Sequence, residues 1–192
     1  LEINNSLNKS DLLQRLDRHL EWIKSCDTKA SIVIAGAGIF LSIFTAEHSI
    51  NMLNQIFAQS INNINFSNFL YLSLFLLFWG LFVYGSYCLI RVLVPMMKKE
   101  VMIFQQDTHA DSLYYFESID DKKYSEFREK MINESPEAEL EDLLTQIYIN
   151  AKICSSKYKF YKKGIRSTFI GIAGIITLYA VGIVLVKLGG MA

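Results

Sequence analysis

Residues 135 to 188 constrain the fold most tightly, because they read as a single helix that begins polar and ends apolar. Ser135-Pro136-Glu137 is a helix start: the Ser hydroxyl caps a free N–H, Pro at the first helical position needs no donor, and Glu favours the positive end of the dipole. Apolar or small side chains then recur at Leu140, Leu144, Ile147, Ala151, Cys154, Tyr158, Tyr161 and Ile165, at steps of 4 and 3. That is the spacing of a helix packing along another helix. The charged run Lys157 to Arg166 gives way to Thr168 to Val186, which carries no charge, and no Pro breaks the junction. At 1.5 Å per residue the rod is roughly 80 Å long, more than twice a bilayer's hydrocarbon thickness. About half of it must therefore stand in water, as a stalk joined to an anchor.

Taken in order, the chain offers two further spans. Leu13, Leu16, Leu20 and Ile23 mark an apolar stripe on a helix starting near Ser10, and Asp27 and Ala30 continue it, bringing a carboxylate onto a packing surface. Ala30 to Ala46 is uncharged and close to the minimum crossing length, and its Ala35-Gly36-Ala37-Gly38 would let another helix approach closely. Glu47 to Asn68 is polar and lacks Lys and Arg, so it is expected as a connecting loop. Phe69 to Val94 is a long apolar run interrupted only by Arg91, and Pro95 then bends or stops the helix.

Charge sets the expected orientation. Lys9, Arg15, Arg18, Lys24 and Lys29 precede the first span, and twelve Lys or Arg lie between Lys98 and Arg166, against none in the 47–68 segment. The positive-inside rule puts the N-terminus and residues 96–166 in the cytoplasm and the C-terminus outside. The expected organisation is a cytoplasmic amphipathic helix (1–29), spans at 30–46, 69–94 and 167–188, an external loop (47–68) and a cytoplasmic helical region with the stalk (95–166). The fold class is an all-α membrane protein, three transmembrane helices continuous with a cytoplasmic helical bundle. Charges run through the first thirty residues, which do not read as a signal peptide.

The region between the second and third spans reads as helical. Met97 to Gln106 continues the second helix past its bend, and Asp121 to Asn133 forms a short helix with Tyr124, Phe127 and Met131 on one side. Leu113, Tyr114, Tyr115 and Phe116 make an aromatic knot that reads first as a core plug. Enzyme chemistry has little support: there is no phosphate loop, dinucleotide fingerprint or His-Glu zinc motif, and His19, His48 and His109 are scattered. Catalytic residues and metal ligands are accordingly expected to be none. Cys26, Cys88 and Cys154 lack ligand spacing and read as buried free thiols. Lys+Arg balance Asp+Glu at 19 each, so net charge says nothing about nucleic acid, and no nucleic-acid partner is expected.

Three stretches resemble the membrane effectors of Pycsar antiphage defence. Trp22-Ile23-Lys24-Ser25-Cys26-Asp27-Thr28-Lys29-Ala30 looks like the family's motif at the mouth of the first span, where Asp-Thr-Lys-Ala leads into a Gly/Ala-rich helix. Residues 112–119, Ser-Leu-Tyr-Tyr-Phe-Glu-Ser-Ile, are similar to its aromatic block, with Tyr114-Tyr115-Phe116 standing where a Phe pair and a small residue are expected. Residues 142–153, followed by Lys157, resemble its pre-anchor helix, in which Gln146-Ile147-Tyr148, a small polar pair and a later Lys recur.

The resemblance implies a bacterial inner-membrane protein activated by cyclic CMP or cyclic UMP from a partner cyclase, which damages the membrane and stops the infected cell. Its partners are then the lipid bilayer, the nucleotide and other copies of itself, since lining a pore needs a homo-oligomer; no resident cofactor is implied. Such a ligand offers one flat base and one phosphate with a single negative charge, so its site needs an apolar platform, hydrogen-bonding groups and a cation. Expected ligand-binding residues are Tyr115 and Phe116 for stacking, Gln146 and Asn150 for the base edge, and Lys152, Lys157, Lys29 or Arg18 for the phosphate. Gln146 and Asn150 share a helix face. At the membrane mouth Asp27 and Lys29 are expected in a structural pair, with Lys152, Lys157 or Arg91 as the carboxylate's further partner. Competing readings are a membrane scaffold or adaptor with no small ligand and, less favoured, a channel or transporter subunit.

Overall fold

The computed structural model describes residues 8–63, 65–96 and 112–188, which are helical with no strand among them. The helices are α1 (Lys9–Phe44), α2 (Glu47–Asn62), α3 (Phe66–Leu93), α4 (Phe116–Asp120), α5 (Tyr124–Asn133) and α6 (Pro136–Leu188). Of these, α1, α3 and α6 are long and apolar enough to cross a membrane.

The ends follow local chemistry. Asn8 caps α1, its Oδ1 accepting the Ser10 N–H at 3.2 Å. Asn65 does the same for α3, accepting the Asn68 N–H at 2.8 Å. Leu93 closes α3 two residues before Pro95, where the ring disfavours further helix. Ser135 caps α6 through the Ala138 N–H at 3.2 Å, and the helix then runs unbroken for 53 residues. The expected extension at 97–106 lies outside the described residues.

The segment expected as a loop at 47–68 instead contains helix α2. Its Asn, Gln and Ser content hides an amphipathic pattern in which Leu53, Ile56, Phe57 and Ser60 fall on the packed side, with Ile56 and Ser60 fully buried. The Ser60 hydroxyl is satisfied by donating to the Ile56 carbonyl at 2.8 Å.

The chain divides into two compact units, one formed by the part up to Asp27 with Val94–Tyr158, the other by Thr28–Leu93 with the part from Lys159 on. Helices α1 and α6 contribute to both. In the second unit, Ala37, Phe44, Phe75, Phe82 and Ile175 form the buried core, surrounded by Phe40, Phe57, Trp79 and Tyr179. Its rings meet mostly edge to face, as in Phe44–Tyr179 at 5.4 Å and Phe57–Phe75 at 5.1 Å. Tyr71 donates its hydroxyl to the Leu178 carbonyl at 2.9 Å.

Close contact of α3 with α6 requires glycine. A Cβ at Gly171 would lie 2.7 Å from Phe82 N and 2.9 Å from Phe78 O, and one at Gly164 would lie 2.8 Å from Leu89 Cγ. The Ala35-Gly36-Ala37-Gly38 stretch, expected to admit a helix, divides instead: Ala37 is buried in the core, while Gly36 and Gly38 face open space.

Candidate functional site

The first unit is built around helix faces that carry polar groups inward. On α1 the inward residues are Leu12, Leu16, His19, Ile23 and Cys26, at steps of 4, 3, 4 and 3. The expected period is right, but the face is rotated by about one residue, and Leu20 is exposed. A similar displacement occurs on α6, where Leu143, Gln146 and Lys157 are buried off the expected stripe, while Cys154 is buried on it. A stripe chosen by apolarity misses this face because its inward positions include an amide and an ammonium.

The segment before α4 supplies the other wall, and it inverts the expected core plug. Ser112 and Ser118 are buried, whereas Tyr114 and Phe116 are exposed. Buried hydroxyls need partners. Ser112 Oγ accepts the Gln146 Nε2–H at 2.9 Å and the Tyr114 backbone N–H at 3.0 Å, leaving its own proton to donate. Asp142 Oδ2 accepts the Leu113 N–H at 2.8 Å. Two side chains of α6 thus hold this segment by hydrogen bonds rather than by ring burial. One turn along, Asn150 donates to the Gln146 carbonyl at 2.9 Å.

Further along α6, Lys157 meets α1. Its Nζ lies 2.7 Å from Asp27 Oδ1 and 2.9 Å from Oδ2, with the lysine side chain 6% exposed and the aspartate 34%. Asp27 thus has the partner its place on a packing face demands, and that partner is Lys157. Because Asp27 still meets water, removing it would cost roughly 3 kcal/mol, the low end for breaking a buried pair. His19 stands edge-on to Trp22 at 5.1 Å, and its Nδ1 is buried without a hydrogen-bond partner among the described residues.

The remaining expected site residues are dispersed. Tyr115 is half-buried beside Phe116, ring centroids 5.0 Å apart, and donates its hydroxyl to Glu117 Oε2 at 2.5 Å. Burial and then that carboxylate push the Tyr115 phenol well above its ordinary range. Lys152 is exposed, its ammonium 5.2 Å from the centre of the Tyr148 ring, and Arg18 is exposed on α1. Lys29 and Arg91 belong to the second unit; Lys29 is exposed, and Arg91 sets its guanidinium 5.9 Å from the Phe160 ring centre. Within the first unit, then, the structure joins Gln146 to Ser112 and Lys157 to Asp27. Ser112 escaped the sequence reading, although it opens the aromatic block; a lone Ser gives no sign of burial.

A cavity of about 500 Å³ lies beside this seam, lined by Leu113, Lys130, Asn133, Glu134, Ala138, Glu141 and Asp142. Burial, and then the nearby Asp142 and Glu139 carboxylates, hold the Glu134 carboxyl above its ordinary value. With three acids against one lysine, the cavity disfavours an anion. Next to it, Glu139 Oε1 accepts the Tyr114 hydroxyl at 2.9 Å and pairs with Lys9 at 2.6 Å. Lys9 is the main cause that lowers the Glu139 carboxyl. Among the described residues, no group of three or more His, Cys, Asp or Glu is arranged to hold a metal ion.

Comparison with known proteins gives two matches and one negative. A family model described as the Pycsar effector protein domain matches residues 11–186. The Pycsar effector protein GmPycTM of Gulbenkiania mobilis is 28% identical over 171 residues, covering 85% of this chain and 87% of that protein. No solved structure matches.

Proposed function

Because the chain belongs to the Pycsar effector family, we propose that it is an antiphage-defence membrane effector that senses a cyclic pyrimidine mononucleotide and impairs the inner membrane of the infected cell. The observation that carries this reading is that α1 and α6, two of the three helices able to span a membrane, also supply the buried Gln146 and Lys157 and the half-buried Asp27 that pairs with Lys157. A ligand that alters the packing of those residues acts on the spanning helices themselves, provided it favours one arrangement over another. The protein works by binding rather than by turnover. Residues 1–29 and 95–166 lie in the cytoplasm, where the nucleotide is made, and several copies assemble to disrupt the bilayer.

In this reading Gln146 and Asn150 read the base edge, Tyr115 and Phe116 supply its platform, and Lys157 is the phosphate's cation, with Lys152 and Arg18 contributing charge around it. Isothermal titration of cyclic CMP and cyclic UMP into the detergent-purified chain tests it. Saturable heat with one of them, accompanied by thermal stabilisation, is expected. No heat and no stabilisation at millimolar ligand would leave a ligand-free scaffold as the better description.

A further inference from the structure

The Asp27–Lys157 pair is asymmetric in a way that bears on how a ligand would enter. The Lys157 side chain is only 6% exposed, while the Asp27 side chain beside it keeps 34% of its surface open. Both carboxylate oxygens lie within hydrogen-bonding distance of Nζ, at 2.7 and 2.9 Å. A phosphodiester presents the same features: one negative charge spread over two acceptor oxygens. Arg18, Lys29 and Lys152 stand exposed, where solvent weakens a single-charge contact. Lys157, shielded from water, offers an anion a stronger interaction. The cavity beside Leu113 carries Glu134, Glu141 and Asp142 and opposes an anion.

We propose that Asp27 is an internal stand-in for the ligand's phosphate, holding Lys157 until the nucleotide displaces it. The inference rests on the nucleotide-sensing reading above and adds to it the contact that binding breaks. Displacement returns the Asp27 carboxylate to water on its already open side and leaves the buried ammonium paired, so the exchange strands no charge. The tie between α1 and α6 at this level is thereby released. In the absence of ligand, competition by Asp27 keeps the binding-competent fraction small and weakens the apparent affinity by that fraction.

Titration calorimetry with cyclic CMP and cyclic UMP, on the full detergent-purified chain and on Asp27→Asn and Lys157→Gln, tests the proposal. Asp27→Asn is expected to bind roughly tenfold to a hundredfold more tightly than wild type, because the competitor is gone. Lys157→Gln is expected to bind roughly tenfold or more weakly, having lost a charged hydrogen bond. Wild-type binding together with unchanged or weaker binding by Asp27→Asn would overturn the stand-in while leaving nucleotide sensing in place. Absence of binding by wild type would overturn both. If circular dichroism shows that Asp27→Asn does not fold, carbodiimide labelling of wild-type Asp27, read by mass spectrometry, decides. Labelling should rise at saturating nucleotide; unchanged or reduced labelling would refute the displacement.

Discussion

Ser112 and Gln146 form the hydrogen bond on which the inner wall of the first unit depends, since both side chains are almost completely buried. Ser112→Ala removes one partner and leaves the carboxamide unsatisfied, which should cost about 1–3 kcal/mol. The thermal unfolding temperature in detergent should fall accordingly, and adding Gln146→Leu should cost less than the sum of the two single changes. The Lys9–Glu139–Tyr114 chain gives this unit a pH dependence with two edges. Glu139 is lowered from its ordinary 4.5, so its contribution is present above about that pH and is lost as pH falls through the lowered value. Tyr114, pushed up to about 12 by burial and then by Glu139, contributes fully below pH 10 and loses its contribution as pH rises through 12. Both edges should shrink in Glu139→Gln, measured as unfolding temperature against pH.

At the scale of elements, the ends of the helices were legible and their faces were not. Ser135-Pro136 and Pro95 fix helix boundaries by local stereochemistry, so the α6 start and the α3 stop could be read directly. Which side of α1 or α6 turns inward depends on what each inward side chain meets. Gln146 and Lys157 are inward because Ser112 and Asp27 satisfy them, and Gly164 and Gly171 because α3 comes close there. Apolarity therefore selected Leu20, which is exposed, and Leu144 in place of the buried Leu143. α2 was missed for a related reason: its polar composition masks the packed line through Ile56 and Ser60. The glycines of α3 and α6 give a direct test. Gly171→Ala puts a methyl against the Phe82 and Phe78 backbone and should destabilise by about 1–3 kcal/mol, whereas Gly80→Ala meets nothing within 4 Å and should be nearly neutral. Equal effects of the two on thermal stability in detergent would contradict this packing.

For the whole molecule, topology and ligand response are the two properties on which the proposed function depends. The three native cysteines are buried, so thiol labelling of intact cells has little background. A cysteine at Gln59, exposed beside the buried Ser60, should be labelled from outside, and one at exposed Ser125 should be protected; the reverse pattern would invert the orientation. Helices α1 and α6 carry both polar seam residues and apolar spans, and the proposed function requires that a nucleotide acting on the one affect the other. Dye release from liposomes reconstituted with the purified chain measures this most directly. Addition of cyclic CMP or cyclic UMP should release the dye in a saturable manner from wild type, and Lys157→Gln should require a higher concentration. Liposomes that stay sealed with both nucleotides, while calorimetry shows that one of them binds, would contradict the claim that binding is transmitted to the membrane.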